Sequence, residues 1–258
     1  MPAFGRVFLA LALLLLPAEL ARATAIEDAN AAVVAARSGK YDEAIELFTR
    51  AINSDELSLT GRAQAYAYRG IAKATSGDYE GAQQDLNFAV ALDSDYNADA
   101  YAYRGYFALV QGDAVKGAAD LAKSAGLKIW AYNAIWLHLA RLRAGVSDND
   151  VVSLKNNAAT IEVARGADGS PGLSRWPGPV IKFLLGQMKP EEMTAAAEQG
   201  DPQRLAERVC DADFYLAQYR VAHNDSAAAK PLFERAAEKC PFASFERMGA
   251  TAELMRLK

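Results

Sequence analysis

Ala65-Tyr66-Ala67-Tyr68-Arg69-Gly70 is repeated without change at residues 100–105, an offset of 35 residues. A Gly-Asp pair follows each copy after the same interval, at residues 77–78 and 112–113. Six identical positions, at a spacing that a second motif preserves, are not expected by chance. A sequence period of roughly 20–50 residues is typical of proteins built from stacked repeats. The chain is therefore predicted to contain such repeats.

Each repeat is predicted to be a pair of helices joined at the Gly-Asp turn. Leu86, Ala89 and Val90 recur at steps of three and four residues, which is the spacing of one face of an amphipathic helix. Gly70 and Ala82 are small and allow two helices to approach closely. Extending this pattern along the chain predicts repeats near residues 25–58, 63–97, 98–131 and 210–243.

The pattern resembles the tetratricopeptide repeat (TPR). One unit carries the resemblance at Tyr66, Gly70, Tyr79, Ala82, Leu86 and Ala89, an earlier one at Gly39, Tyr41, Ala44, Phe48 and Ala51, and a later one at Ala229, Phe233, Ala236 and Pro241. The resemblance implies an all-α solenoid of TPR helical hairpins with an irregular C-terminal helical portion. The predicted organisation is a signal peptide at 1–25, a TPR repeat domain at 26–145, an irregular helical connection at 146–200, and a C-terminal TPR-like hairpin with an end helix at 201–258.

The predicted connection contains a stretch rich in Gly, Pro and Ser at residues 165–179. A loop of this length is unusual inside a compact domain. The stretch is therefore a candidate for a functional role.

Two repeats carry opposite charges at matched positions. Arg69 precedes Asp85 by 16 residues, and Arg104 precedes Asp120 by the same interval. In a helical hairpin, that interval places the two side chains opposite one another. The equivalent positions hold Ala31 and Leu47 in the first repeat and Leu216 and Leu232 in the last. Because an unpaired buried charge is costly, this joint presence or absence predicts structural ion pairs; an anion-binding role for the arginines is the alternative.

The two cysteines of the chain, Cys210 and Cys240, fall at the first and thirty-first positions of the last repeat. In an antiparallel hairpin, the start of one helix lies beside the end of the next. A structural disulfide is therefore predicted, subject to the usual limits on the Cα–Cα distance. Two unpaired buried thiols are the alternative.

The N-terminal residues predict export. Arg6 is followed by an apolar run from Val7 to Leu16, and small-x-small patterns end at Ala23 and Ala25, as in a secretory signal peptide. No cysteine follows the apolar run, so no lipid anchor is expected, and the predicted location is the periplasm. The chain has 28 basic and 32 acidic residues, and without a basic face it is not expected to bind nucleic acid.

Three C-terminal blocks, at residues 176–186, 210–218 and 253–257, resemble proteobacterial periplasmic TPR proteins of the NlpI-like type. The resemblance implies an adaptor that docks envelope proteins such as processing proteases and peptidoglycan hydrolases. The alternative is a structural subunit or assembly factor of an envelope complex such as a pilus or a secretion apparatus. Self-association that caps the terminal repeats is a further hypothesis.

The first helix of each hairpin is expected to line a concave wall on which partner proteins bind. The candidate protein-binding residues are Tyr68, Ile71, Tyr103, Tyr106 and Leu109. Tyrosine suits such a surface because it combines apolar area with a hydroxyl group. The alternative is that these tyrosines pack against the neighbouring repeat.

The sequence offers little for catalysis. His138 and His223 are widely separated and belong to no hydrolase, metalloprotease or phosphate-loop motif. The protein is therefore not expected to be an enzyme, and neither a cofactor nor a metal site is predicted.

Overall fold

A computed structural model describes residues 24–92, 97–146, 148–164, 166, 169–241 and 244–257. The predicted signal peptide falls almost entirely outside the described residues. The regular elements are α1 Ala25–Arg37, α2 Tyr41–Asn53, α3 Leu59–Ser76, α4 Tyr79–Leu92, α5 Ala98–Val110, α6 Ala114–Leu127, α7 Ala131–Arg143, α8 Asp148–Val163, α9 Gly178–Leu184, α10 Pro190–Ala197, α11 Leu205–Ala222, α12 Ser226–Lys239 and α13 Phe245–Arg256, with 3₁₀ turns at Gly172–Ser174 and Pro202–Arg204. The chain is an all-α, TPR-like solenoid.

The four predicted repeats are confirmed as packed helix pairs: α1 with α2, α3 with α4, α5 with α6, and α11 with α12. Side-chain caps define where several of the helices begin. Asn97, Asp113 and Asp225 each accept a hydrogen bond from a backbone N–H in the first turn of the following helix. Gly77 and Gly112 have φ of +96° and +90°, a backbone conformation that favours glycine. The Gly-Asp pair therefore ends one helix and caps the next.

Small residues set the distance between the two helices of a hairpin. A Cβ atom added to Gly70 would lie 3.1 Å from Cγ of Leu86, and one added to Gly105 would lie 2.7 Å from Cγ of Leu121. Because neither position has room for a methyl group without movement of its neighbour, the repeated glycine allows α3 to pack on α4 and α5 on α6.

The middle of the chain continues the stack with α7 and α8. Trp136 and Ala140 of α7, in the aromatic and small positions of the repeat, are both buried. Part of the predicted 165–179 connection lies outside the described residues. Its described part packs on α8: Leu173 is buried, and its backbone N–H donates to Glu162 at 3.0 Å. This portion of the connection therefore contributes to the core.

The helix α13 returns to the first helices of the repeats and packs against α5, α11 and α12. A single cluster of buried apolar residues runs from Ala67 to Ala250 and crosses both predicted boundaries, near 145 and near 200. The first hairpin has a smaller cluster of its own, centred on Phe48. Within the described ranges, no helix combines the length and apolar character needed to span a bilayer.

Both predicted ion pairs are present in the structure. Nε and Nη2 of Arg69 each donate to Asp85 at 2.7 Å, and the same atoms of Arg104 donate to Asp120 at 2.7 Å. Lys73 also contacts Asp85, at 2.9 Å. Each arginine makes two hydrogen bonds to one internal carboxylate. This geometry favours a structural ion pair over an anion-binding role for the arginines.

The first and last repeats contain a second type of pair that the sequence argument missed. Arg50 donates to Asp28 at 2.7 and 3.1 Å, and Arg235 donates to Asp213 at 2.6 and 2.9 Å. Here the acid lies on the first helix and the arginine on the second, the reverse of the middle repeats. In both pairs, the acid and the arginine are 22 residues apart. A search of the sequence for opposite charges at any interval shared by two repeats would find this spacing.

The predicted disulfide is confirmed. Cys210 and Cys240 are bonded, with a Cα–Cα distance of 5.0 Å, and they join the first part of α11 to the end of α12. Structural disulfides are typical of proteins outside the cytoplasm. The bond is thus consistent with an envelope location.

Candidate binding groove

An open groove of about 870 Å³ lies on the inner side of the solenoid. We call it the inner groove. One wall is formed by α1, α3 and α5, the opposite wall by α11 and α13, and the start of α7 lies between them. Its lining includes Tyr68, Ile71, Tyr103, Tyr106, Trp130, Tyr132, Trp136, Glu207, Asp211, Phe245 and Glu246. The groove therefore combines aromatic rings with carboxylates.

The predicted binding residues fall into three environments. Tyr68 and Ile71 are half-buried and line the groove. Tyr103 is half-buried as well, with its ring 5.7 Å from that of Tyr68. Tyr106 lines the groove but is only 5% exposed. Leu109 is buried against Gly117 in the core of its hairpin and does not line the groove, because it faces α6. The available surface is thus smaller than the sequence suggested.

The difference arises because α13 covers part of the wall. The ring of Phe245 stacks on that of Tyr103 with centroids 5.9 Å apart, and it meets the ring of Tyr106 edge-on at 5.0 Å. The ring of Tyr106 also lies 5.0 Å from that of Trp136. Packing between chain segments thus explains the burial of Tyr106, whereas Tyr68 and Ile71 remain half-buried.

Two buried carboxylates occupy the deep end of the groove. Asp211 accepts hydrogen bonds from the Tyr132 hydroxyl and from the Trp176 indole N–H, both at 2.9 Å. Glu246 accepts one from the Tyr215 hydroxyl at 2.8 Å. Burial raises the pKa of Asp211 well above its ordinary value, and the nearby charge of Glu246 adds to the effect. Burial likewise raises the pKa of Glu246.

Three groove tyrosines, Tyr103, Tyr106 and Tyr132, are neutral hydrogen-bonding groups at physiological pH. Burial raises the pKa of Tyr103 above its ordinary value, with the neighbouring Tyr68 adding to the shift. Burial also raises the pKa of Tyr132, and Asp211 adds to that shift. The hydroxyl of Tyr106 is buried and has no hydrogen-bond partner among the described residues. These groups can donate or accept hydrogen bonds but carry no charge.

Three further sets of groove residues were not predicted from the sequence: Asp211, Glu246 and the aromatic residues of α7. They belong to helices distant in the chain from Tyr68 and Tyr103. The packing of α7 on α5 and α11 brings in Trp136 and Asp211, and the return of α13 adds Glu246. One available signal was the presence of two acids, Asp211 and Asp213, in the otherwise apolar middle of a predicted helix.

The described residues offer few groups that are suited to catalysis. His138 is buried in α7, and Nδ1 of His223 lies 2.8 Å from the backbone oxygen of Tyr219. Across the described part of the chain, no three His, Cys, Asp or Glu side chains are grouped as metal ligands.

The similarity of the chain to known proteins is structural. No protein-family model matches it, and no curated protein matches it. Among solved structures, it is similar to PilW, described as a widely conserved type IV pilus biogenesis factor. The TM-score is 0.48 and the sequence identity is 16%, over 88% of this chain and 98% of PilW. A likeness at this level says nothing about function.

Proposed function

We propose that this protein is a non-catalytic adaptor of the cell envelope that holds a segment of a partner protein in the inner groove. The observation that carries the proposal is the open aromatic part of the groove, where Tyr68 and Ile71 keep exposed surface that α13 does not cover. Apolar and aromatic surface of this kind supplies most of the free energy in protein recognition.

The dimensions of the groove suit a short segment of polypeptide. Its volume of about 870 Å³ lies within the range of roughly 300–1,000 Å³ of sites that bury a small ligand. A tyrosine side chain offers a large contact area and loses little conformational entropy when it is held in place. The groove can therefore bind several consecutive side chains of a partner.

Two further observations support an adaptor in the envelope. The disulfide between Cys210 and Cys240 suits an oxidising compartment, as does the predicted signal peptide. The resemblance of residues 176–186 and 210–218 to NlpI-like proteins favours an adaptor over an enzyme. We propose that the partners are envelope proteins such as proteases or peptidoglycan hydrolases.

The test is affinity capture from envelope extracts by wild-type protein and by two variants. Tyr68→Ala removes a groove ring, and Tyr79→Ala is the matched control because Tyr79 is 51% exposed outside the inner groove. We expect Tyr68→Ala to reduce capture of a specific partner roughly tenfold or more and Tyr79→Ala to leave it unchanged. Thermal unfolding followed by circular dichroism checks that both variants are folded. Equal capture by the two variants would contradict the proposal.

Fractionation separates the adaptor from a structural subunit of a pilus or secretion complex. An adaptor is expected to be largely free of large assemblies and to be recovered with several partners. A structural subunit would instead be recovered quantitatively with one large membrane complex.

A further inference from the structure

The buried acids in the described part of the chain divide into two groups. Five of them form an ion pair with an arginine at 2.6–2.7 Å; these are Asp28, Asp85, Asp120, Asp213 and Glu253. The other two, Asp211 and Glu246, form no ion pair with any described residue. These two are also the buried acids that line the inner groove. Among the described residues, the buried acids that lack an ion pair are therefore the ones beside space for a ligand.

A buried carboxylate without a cation is costly. Removal from water disfavours the charged form, and neutral hydrogen bonds compensate only part of the loss. Asp211 receives two such bonds, and Glu246 receives one from Tyr215 and has a further hydrogen-bonding interaction with Trp136. Elsewhere in this chain the same problem is solved with an arginine. A cation supplied by a ligand would solve it here.

The surrounding side chains fit an organic cation. Tyr103, Tyr106, Tyr132 and Trp136 line the same end of the groove, and aromatic faces attract guanidinium and ammonium groups. The buried hydroxyl of Tyr106, which has no partner among the described residues, adds an unused acceptor for a donor on the ligand. This second observation is independent of the acids and also indicates a hydrogen-bonding ligand.

The cations that the groove itself contains do not serve this purpose. Arg204 donates to Glu207 at 2.7 and 3.0 Å, and Arg37 is exposed at the rim. Four acids, Asp99 among them, and two arginines line the groove, and when all of these groups are ionised they give a formal excess of two negative charges. The electrostatic field of these charges therefore favours a cation in the groove.

From this arrangement we infer that the deep end of the inner groove receives an arginine or lysine side chain from an extended segment of the partner protein. The carboxylates of Asp211 and Glu246 neutralise the cation, and the rings of Tyr103, Tyr132 and Trp136 enclose it. The apolar neighbours of the basic residue lie against Tyr68 and Ile71. This inference rests on the proposed function and names the chemistry of the partner.

The tryptophans provide a direct assay. Trp130 and Trp136 line the groove, and Trp176, the third tryptophan of the chain, donates to Asp211. Their fluorescence therefore reports occupancy of this site. The probe is an acetylated and amidated peptide of about six residues that alternates leucine with arginine. Its counterparts replace arginine with glutamine or with glutamate. We expect the arginine peptide to bind roughly tenfold or more tightly than the glutamine peptide, and the glutamate peptide not to bind.

Matched variants distinguish binding at this site from general electrostatic attraction of a cationic peptide to an acidic protein. Asp211→Asn and Glu246→Gln keep hydrogen-bonding groups of similar shape, and each removes one negative charge. Glu234→Gln changes the net charge equally at an exposed position outside the groove. We expect the two groove variants to weaken the arginine peptide roughly tenfold and Glu234→Gln to leave its affinity unchanged.

The possible outcomes are distinct. Equal affinity for the three peptides, or equal effects of the three variants, would overturn the inference. Absence of any fluorescence change would also overturn it, whereas capture that depends on Tyr68 would still support the adaptor. If Asp211→Asn does not fold, Glu246→Gln and the comparison of peptides on the wild-type protein still decide.

Discussion

One repeat of this protein carries the ion pair between Arg104 and Asp120, and another has two leucines at the same positions. The equivalent positions of the last repeat hold Leu216 and Leu232. We therefore consider Arg104→Leu, Asp120→Leu and the double variant. The side chains are 19% and 9% exposed, and two hydrogen bonds of 2.7 Å join them.

Each single substitution leaves one charge without its partner. Loss of one member of a buried pair typically costs about 3–5 kcal/mol, and partial exposure of this pair reduces the expected cost to about 2–3 kcal/mol. The double variant removes both charges and adds apolar contacts, so its unfolding free energy should lie within about 1 kcal/mol of the wild-type value. The two substitutions are therefore expected to be coupled by at least about 3 kcal/mol, the sum of the two single costs minus the cost of the double variant.

The measurement is urea unfolding followed by far-ultraviolet circular dichroism, with the disulfide intact. The control is the same cycle on Lys40 and Glu43, whose side chains are 64% and 53% exposed and 3.1 Å apart. Surface pairs of this kind contribute little, so their coupling should stay below about 0.5 kcal/mol. Additive costs for Arg104 and Asp120 would refute the pairing argument, since each residue would then act independently.

Three further predictions concern other features. Cys240→Ser should lower the unfolding free energy by roughly 3–4 kcal/mol, because the bond closes a loop with a sequence separation of 30, and an unchanged melting temperature would contradict this. Phe245→Ala should cost about 3 kcal/mol in urea unfolding and reduce the near-ultraviolet dichroism of the groove rings; an unaltered spectrum would show that α13 does not cover them. Burial raises the pKa of Asp211 and Glu246 in the folded state, so the folded protein holds these two protons more tightly than the unfolded chain does. Proton binding to the two acids therefore stabilises the fold at low pH. This stabilisation is lost as the pH rises through the raised pKa values of the folded state. Wild-type stability relative to Asp211→Asn should therefore fall as the pH rises above the ordinary range of carboxyl pKa values, while affinity for the arginine peptide rises; parallel stability curves would contradict the first expectation.

The charged and titratable groups around the two groove acids bear on that pH dependence. Glu207 raises the pKa of both acids. Hydrogen bonds from Trp176 and Tyr132 to Asp211, and from Tyr215 and Trp136 to Glu246, oppose the effect of burial. Arg204, which lines the groove, is paired with Glu207 and also interacts electrostatically with Asp211. Arg208, the arginine nearest to Asp211 in sequence, donates to the backbone oxygens of Ala197 and Asp201. The direction of the shift therefore follows from burial and from neighbouring acids.

The helical hairpins could be predicted from the sequence because their determinants are local and repeated. Gly70 and Gly105 mark where two helices touch, and Gly77 and Gly112 mark where one helix ends. The interval between Arg69 and Asp85 fixed the register of facing helices. In each case, the residues concerned lie within one repeat of each other.

The groove could not be predicted as fully, because its second wall comes from a distant part of the chain. Phe245 meets Tyr103 and Tyr106 across more than a hundred residues, and no periodicity relates them. The burial of Asp211 likewise depends on Trp176 and Tyr132, which belong to other elements. The sequence therefore predicted a wall of tyrosines but not that α13 covers part of it.

The return of α13 to α5 closes a ring of helix contacts that runs from α5 to α13. This ring limits how the protein can evolve. An open solenoid can gain or lose a hairpin by duplication or deletion, since each unit touches only its neighbours. Here, an extra hairpin between α6 and α7 would carry α13 away from the rings of Tyr103 and Tyr106 and would take the wall of the groove with it. Changes in repeat number should consequently be rarer among descendants of this protein than changes in the residues that line the groove.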